Sequence, residues 1–157
     1  MNAKKMLLLI ATVALLSTAP TVRTAETDDY LLYAGTYTGG DSKGIYAFRF
    51  QPSTGKTVSI GLAVESANPA FLAVHPDRRT LYAVNEALVS EGGNGSISAF
   101  AIDAKTGRLT FLNKMSSGGR NPCHLTIDRY GKWLLAANYS SGSVSVFPIK
   151  EDGRLGA

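Results

Sequence analysis

The sequence predicts an all-β chain of short antiparallel strands grouped in fours, and three observations carry that prediction. The first is self-similarity. Ile45–Tyr46–Ala47–Phe48, Ile97–Ser98–Ala99–Phe100 and Val144–Ser145–Val146–Phe147 are versions of one segment, with phenylalanines 52 and then 47 residues apart. Thr54–Gly55–Lys56 returns as Thr106–Gly107–Arg108 after 52 residues, and Asn68–Pro69 returns as Asn121–Pro122 after 53. Leu81–Tyr82–Ala83–Val84–Asn85 likewise returns as Leu134–Leu135–Ala136–Ala137–Asn138 after 53. The second is alternation with a period of two, in which Ile45, Ala47 and Arg49 interleave with Tyr46, Phe48 and Phe50, the pattern of a strand. The third is the clustering of Gly, Asp, Asn and Pro between such runs, where turns need a positive or fixed φ. No stretch after residue 25 carries helical periodicity. Four strands every ~40–50 residues make the blade of a β-propeller, a twisted sheet that buries its faces only against neighbouring blades.

Taken in order, residues 1–25 read as a secretory signal peptide. Lys4 and Lys5 precede the apolar run Met6–Leu16, and Ser17–Thr18–Ala19 supplies small residues, the three parts such a segment needs. The run falls short of the ~20 apolar residues of a transmembrane helix, so no stable membrane anchor is expected. Pro20 and Arg23 leave the cleavage point open. Strands are predicted at 31–37, 44–51, 58–65, 70–75 and 80–86 in the first copy, where Leu32–Tyr33–Ala34–Gly35–Thr36 matches the start of later copies. The second copy gives 95–102, 109–115, 124–127 and 133–139, and a third begins at 143–149. Residues 26–157 therefore hold about two and a half to three blades, whereas a closed propeller needs roughly four to eight. They are expected to be the N-terminal blades of an incomplete propeller, with further blades needed to close the ring and open sheet edges prone to association until then.

Composition excludes several chemistries. Three of the 16 basic residues, Lys4, Lys5 and Arg23, lie in the first 25 with no acid beside them, which leaves 13 basic against 12 acidic residues in the remainder. No nucleic-acid footprint survives that balance. One Cys permits neither an internal disulfide nor a Cys-cluster zinc site, and two His fall short of a three-ligand catalytic zinc. Gly35–Gly40 runs into Asp41 and lacks the Lys-Ser/Thr ending of a phosphate-cradling loop. No metal and no cofactor is expected.

His124 is the most informative residue. It stands where the preceding repeat has Phe71, so a titratable ring replaces an apolar one near the start of an innermost strand, which in a propeller lines the central channel. It is either a hydrogen-bonded structural histidine or a group that moves a proton. Glu86 and Tyr139 occupy equivalent places just after Asn85 and Asn138, with Tyr37 in the third such place. These residues either hydrogen-bond a polar ligand at the channel mouth or, for the asparagines, tie down turn backbones. Arg120 lies close to His124 and is either a solvated loop cation or a partner for an anionic group. Cys123 is expected to be a buried structural thiol facing away from His124, because adjacent strand residues point to opposite faces. His75, before the turn sequence Pro76–Asp77, is read as structural.

Several segments together resemble the seven-bladed β-propeller lactonase family, which includes propeller-type 6-phosphogluconolactonase and carboxy-cis,cis-muconate cyclase. They are Tyr33–Ala34–Gly35–Thr36–Tyr37–Thr38, Ser42–Lys43–Gly44–Ile45–Tyr46, Asn68–Pro69–Ala70–Phe71–Leu72, and His75–Pro76 running into Leu81–Glu86. Pro122–Cys123–His124 and Ala137–Asn138–Tyr139, followed by Gly142–Ser143–Val144, complete the set. The resemblance implies seven blades, hydrolysis of a small sugar-acid lactone, and His124 as the catalytic histidine; Glu86, Asn85, Asn138, Tyr139 and Arg120 are the substrate-side candidates that repeat position and nearness to His124 suggest. It also implies that the arginines and acidic residue completing the site come from later blades, so this chain alone is expected to be inactive. A signal peptide places the protein in the periplasm or outside the cell, whereas 6-phosphogluconolactone is cytosolic, which points to an unphosphorylated lactone. The rival readings are an envelope propeller that binds a protein or polysaccharide without catalysis, and a muconate-lactone cyclase.

Overall fold

The computed structural model describes residues 29–86 and 93–157, so the expected signal peptide lies outside the described residues. Ten strands are present: β1 (Tyr30–Gly35), β2 (Gly44–Gln51), β3 (Lys56–Glu65), β4 (Pro69–Val74), β5 (Thr80–Asn85), β6 (Ser96–Ile102), β7 (Leu109–Ser116), β8 (Pro122–Ile127), β9 (Trp133–Asn138) and β10 (Ser143–Pro148). They form three antiparallel sheets ordered β1-β2-β3, β4-β5-β6-β7 and β8-β9-β10. The chain belongs to the all-β class and carries part of a propeller.

The sequence repeat runs out of phase with the sheets. Leu32–Thr36 matches Leu81–Asn85 and Leu134–Asn138, which places β1 beside β5 and β9 as the second strand of a blade. The first sheet therefore has no counterpart to β4 or β8 among the described residues, and β1 presents a free edge where that strand would pair. The third sheet has no full counterpart to β7; Leu155 makes a single bridge to Ile149 in its place.

Two apolar seams hold the sheets face to face. Ile45, Ala47 and Ala63 of the first sheet meet Leu81, Ala83, Phe100 and Leu109 of the second. Tyr82, Val84, Ile97 and Ala99, on the opposite face of that second sheet, meet Leu125, Leu134, Ala136 and Phe147 of the third. Alternation explains the division: within β5, Leu81 and Ala83 face one neighbour while Tyr82 and Val84 face the other. All four are fully buried. Leu155 joins the second seam, held by reciprocal bonds in which its N–H donates to Asn113 Oδ1 at 3.0 Å and the Asn113 amide donates to its carbonyl at 2.8 Å. The Tyr82 hydroxyl donates to the Gly153 carbonyl at 2.9 Å in the same region, and burial drives its phenol far above the ordinary range.

Two glycines allow the inner strands to approach their neighbours. A Cβ on Gly35 would lie 2.0 Å from the Pro69 carbonyl oxygen, and one on Gly95 would lie 2.3 Å from the Pro122 ring. Both Asn-Pro entries to inner strands are thus packed where only a bare backbone fits.

Candidate functional site

β4 and β8 are the channel-side strands, and each opens with an asparagine in the left-handed region, Asn68 at φ 42° and Asn121 at φ 50°. Asparagine tolerates that conformation better than most residues, and the proline that follows fixes φ for strand entry. Each strand then carries a β-bulge. Pairing jumps from Pro69 to Phe71 opposite β5, and from Pro122 to His124 opposite β9. Phe71 pairs with Val84 and His124 with Ala137, so the two rings occupy the same structural place in consecutive blades. Their centroids are 4.4 Å apart at an interplanar angle of 51°.

The bulge corrects the expectation for Cys123. Simple alternation does not continue through an unpaired extra residue, and Cys123 is that residue. Its thiol is exposed, with Sγ 3.8 Å from the Ala137 carbonyl. His124 is exposed beside it.

The rim beyond these strands is built from the residues that follow β1, β5 and β9. The Glu86 N–H donates to the Asn68 carbonyl at 3.1 Å, and the Tyr139 N–H donates to the Asn121 carbonyl at 2.8 Å, the same bond one blade later. The Tyr37 hydroxyl reaches from the first sheet to donate to Glu86 Oε2 at 2.8 Å. That bond, and the negative charge behind it, raise the Tyr37 phenol above its ordinary value, with small contributions from burial and from Cys123. Asn68 ties the two blades together. Its Oδ1 accepts from the Thr38 N–H at 2.9 Å and from the Thr38 hydroxyl at 3.0 Å, and its amide donates to the Glu86 carbonyl at 3.3 Å. Tyr139 projects into solvent, 80% exposed. Arg120 is exposed on the same side, its N–H donating to Ser141 Oγ at 3.1 Å.

Asn85 and Asn138 sit lower and are buried. The Asn85 amide donates to Ser66 Oγ at 2.8 Å and to the Ala67 carbonyl at 2.6 Å, while its Oδ1 accepts from Ser98 Oγ at 2.6 Å. The Asn138 amide lies 3.2 Å from the Ser117 carbonyl, 3.3 Å from Ser143 Oγ and 3.2 Å from Ser145 Oγ. The Asn85 side chain is engaged at both ends, whereas Asn138 Oδ1 is buried without a hydrogen-bond partner among the described residues. The Asn85 amide fixes the strand end from which Glu86 emerges, and the Asn138 amide the one from which Tyr139 emerges.

His75 follows β4 and lies at the opposite rim, with Nε2 2.9 Å from the Gly131 carbonyl and Nδ1 2.8 Å from Asp77 Oδ1. A cleft of about 710 Å³ opens there, lined by His75, Asp77, Lys132, Trp133 and Gly153 among others. It is larger than a cleft of about 380 Å³ lined by Glu65, Asn85, Glu86, Ser96 and Lys114 among others, which His124 does not line. Size does not locate the chemistry here, because both ring nitrogens of His75 are already engaged, Nε2 by the Gly131 carbonyl and Nδ1 by Asp77, whose N–H donates to it at 3.3 Å. Gly40–Asp41–Ser42–Lys43–Gly44 has the Gly-x-Ser-x-Gly spacing of a nucleophile elbow, yet it forms the β1–β2 turn with Ser42 hydrogen-bonded to Thr36, and no strand-to-helix turn is present. Among the described residues, no group of His, Cys, Asp and Glu is placed to hold a metal ion.

Glu86 and Tyr139 are tied by equivalent backbone bonds to Asn68 and Asn121 before β4 and β8, and Arg120 and His124 flank the second of these entries. Sequence reasoning missed the roles of Tyr37 and Asn68. The signal for Tyr37 was its shared repeat position with Glu86 and Tyr139; the signal for Asn68 was the recurring Asn-Pro pair.

Comparison with known proteins shows the family. The family model described as "Lactonase, 7-bladed beta-propeller" matches residues 31–157. A 6-phosphogluconolactonase of Bacillus subtilis is 40% identical over 126 residues, covering 80% of this chain and 35% of the relative. A 6-phosphogluconolactonase of Formosa agariphila is 35% identical over 127 residues, covering 79% of the chain and 35% of the relative. The structure of a periplasmic gluconolactonase of Pseudomonas aeruginosa superposes with a TM-score of 0.72 at 33% identity, covering 82% of this chain and 36% of that one. The chain spans about a third of the length of these relatives.

Proposed function

The chain belongs to the seven-bladed β-propeller lactonase family, and from that membership we propose that the protein containing these blades hydrolyses a sugar-acid lactone. The observation that carries the reading is His124. It is an exposed imidazole on a channel-side strand, in the register position that the neighbouring blade fills with Phe71. A neutral imidazole there accepts a proton from water as the water oxygen bonds to the lactone carbonyl carbon. Collapse of the tetrahedral intermediate breaks the ring C–O bond, and the same proton goes to the departing alkoxide, giving the open hydroxy acid. Donors facing the carbonyl oxygen would stabilise the transient oxyanion; Arg120, beside the entry to β8, is one cation near His124, and the further blades would supply others. The chain by itself is expected to be inactive.

We also propose export, on the strength of Lys4–Lys5 and the apolar run Met6–Leu16. The test of activity is acid release from D-glucono-1,5-lactone by the full-length protein in a pH-stat, corrected for spontaneous hydrolysis. Turnover well above the blank is expected. No turnover on this or the phosphorylated lactone would leave the binding-propeller reading in its place.

A further inference from the structure

We infer that Glu86 and Tyr37 form a hydroxyl-binding subsite above His124 that selects a neutral polyol end of the lactone over a phosphorylated one. This rests on the lactonase reading above and deepens it. Three features of the pair support it.

The first is position. Glu86 is bonded through its N–H to Asn68, three residues before Phe71, whose ring touches His124. The Tyr37 hydroxyl joins Glu86 at that strand entry.

The second is preorganisation. Asn68 grips Thr38, the residue after Tyr37, through two bonds and grips the Glu86 backbone through two more. The phenol and the carboxylate come from different blades, yet their separation is set by one buried asparagine. Residues held in this way bind without a further ordering cost.

The third is chemistry. The Tyr37 proton is committed to Glu86 Oε2, which leaves phenol lone pairs and the second carboxylate oxygen as acceptors facing solvent. Such a pair takes hydroxyl donors and repels a phosphate. The cations on this side, Arg120, Lys43 in a cleft with Thr38 and Lys114 in the cleft that Glu86 lines, all sit on exposed side chains. A charge on a long exposed side chain is worth less than one fixed in place.

The experiment measures kcat/KM of the full-length protein on D-glucono-1,5-lactone and on its 6-phosphate, with Glu86→Gln and Tyr37→Phe as variants. The Asn68 grip on Glu86 runs through the backbone, so both near-isosteric changes leave the fold intact, and thermal unfolding checks this. Glu86→Gln is expected to shift the preference for the neutral lactone by ~10-fold toward the phosphate, the size of one charge at partial exposure. Tyr37→Phe is expected to raise KM for the neutral lactone several-fold with kcat little changed. An unaltered preference in folded, active variants overturns the subsite alone. Absence of turnover by the parent on either lactone overturns the lactonase reading first and the subsite with it.

Discussion

Asn68 shows how much of this site depends on a single side chain. It occupies the left-handed region, is buried, and joins Thr38 of one blade to Glu86 of the next. Asn68→Ala removes those side-chain bonds and leaves a Cβ residue at positive φ, so in the complete propeller it should lower stability by about 1–3 kcal/mol, read as a reduced urea midpoint at constant m. An unchanged midpoint would mean the clamp carries no weight. Cys123 gives a second prediction at this scale. Its exposed position in the bulge means iodoacetamide should alkylate it in the folded protein without denaturant, whereas a thiol packed inside the sheet would react only on unfolding. The equivalence of His124 and Phe71 was legible as repeat arithmetic, because pairing registers preserve sequence spacing. The exposure of Cys123 was not, because a bulge is a change of register that no single-strand pattern announces. The Tyr37–Glu86 bond was hidden for another reason: it crosses between blades, and contact across a seam depends on how two sheets rotate against each other.

Between residue and molecule, the strands and their turns were the most legible part of the sequence. All ten predicted strands are present, most within two residues of their expected limits, since alternation and Gly/Asn/Pro punctuation act locally. Their grouping was harder to read. Repeats counted from β1 put β4 and β5 with the first three strands, yet the sheet boundary falls at 66–68, where the chain crosses to the channel side. The turns themselves are tied by carboxylates. Asp128 accepts from the N–H groups of Trp133, Lys132 and Tyr130, Asp103 from those of Lys105 and Thr106, and Asp152 from Arg154. Hydrogen bonds to the charged form hold all three carboxyls below their ordinary value: chiefly Thr106 for Asp103, the Trp133 N–H for Asp128 and the Arg154 N–H for Asp152. A carboxyl whose value is lower folded than unfolded contributes stability above the unfolded value, near 4, and loses it as pH falls through the folded one. Stability should therefore hold above about pH 5 and decline below about pH 4, and Asp128→Asn should flatten that decline. A urea midpoint independent of pH across this window would contradict the assignment.

At the scale of the whole molecule, both outer faces of the three-sheet stack are open. Trp133, Val144 and Val146, exposed at 48%, 64% and 55%, hold the positions that Thr80, Ile97 and Ala99 fill in the second sheet, where the next sheet covers them. Tyr30 and Leu32 are exposed on the first sheet, beside the free edge of β1. Residues 29–157 prepared alone should therefore associate and bind a hydrophobic dye, because each open face is half of a seam the chain makes twice internally. A monodisperse monomer with one sharp, reversible unfolding transition would show that the stack is self-sufficient. The central claim is that His124 moves the proton in a lactonase channel, and the most direct test is lactone turnover in the full-length protein and its His124→Asn variant. If His124 acts as the base, the variant should be folded and ~10²–10⁴ slower than the parent. Equal turnover by parent and variant would contradict it.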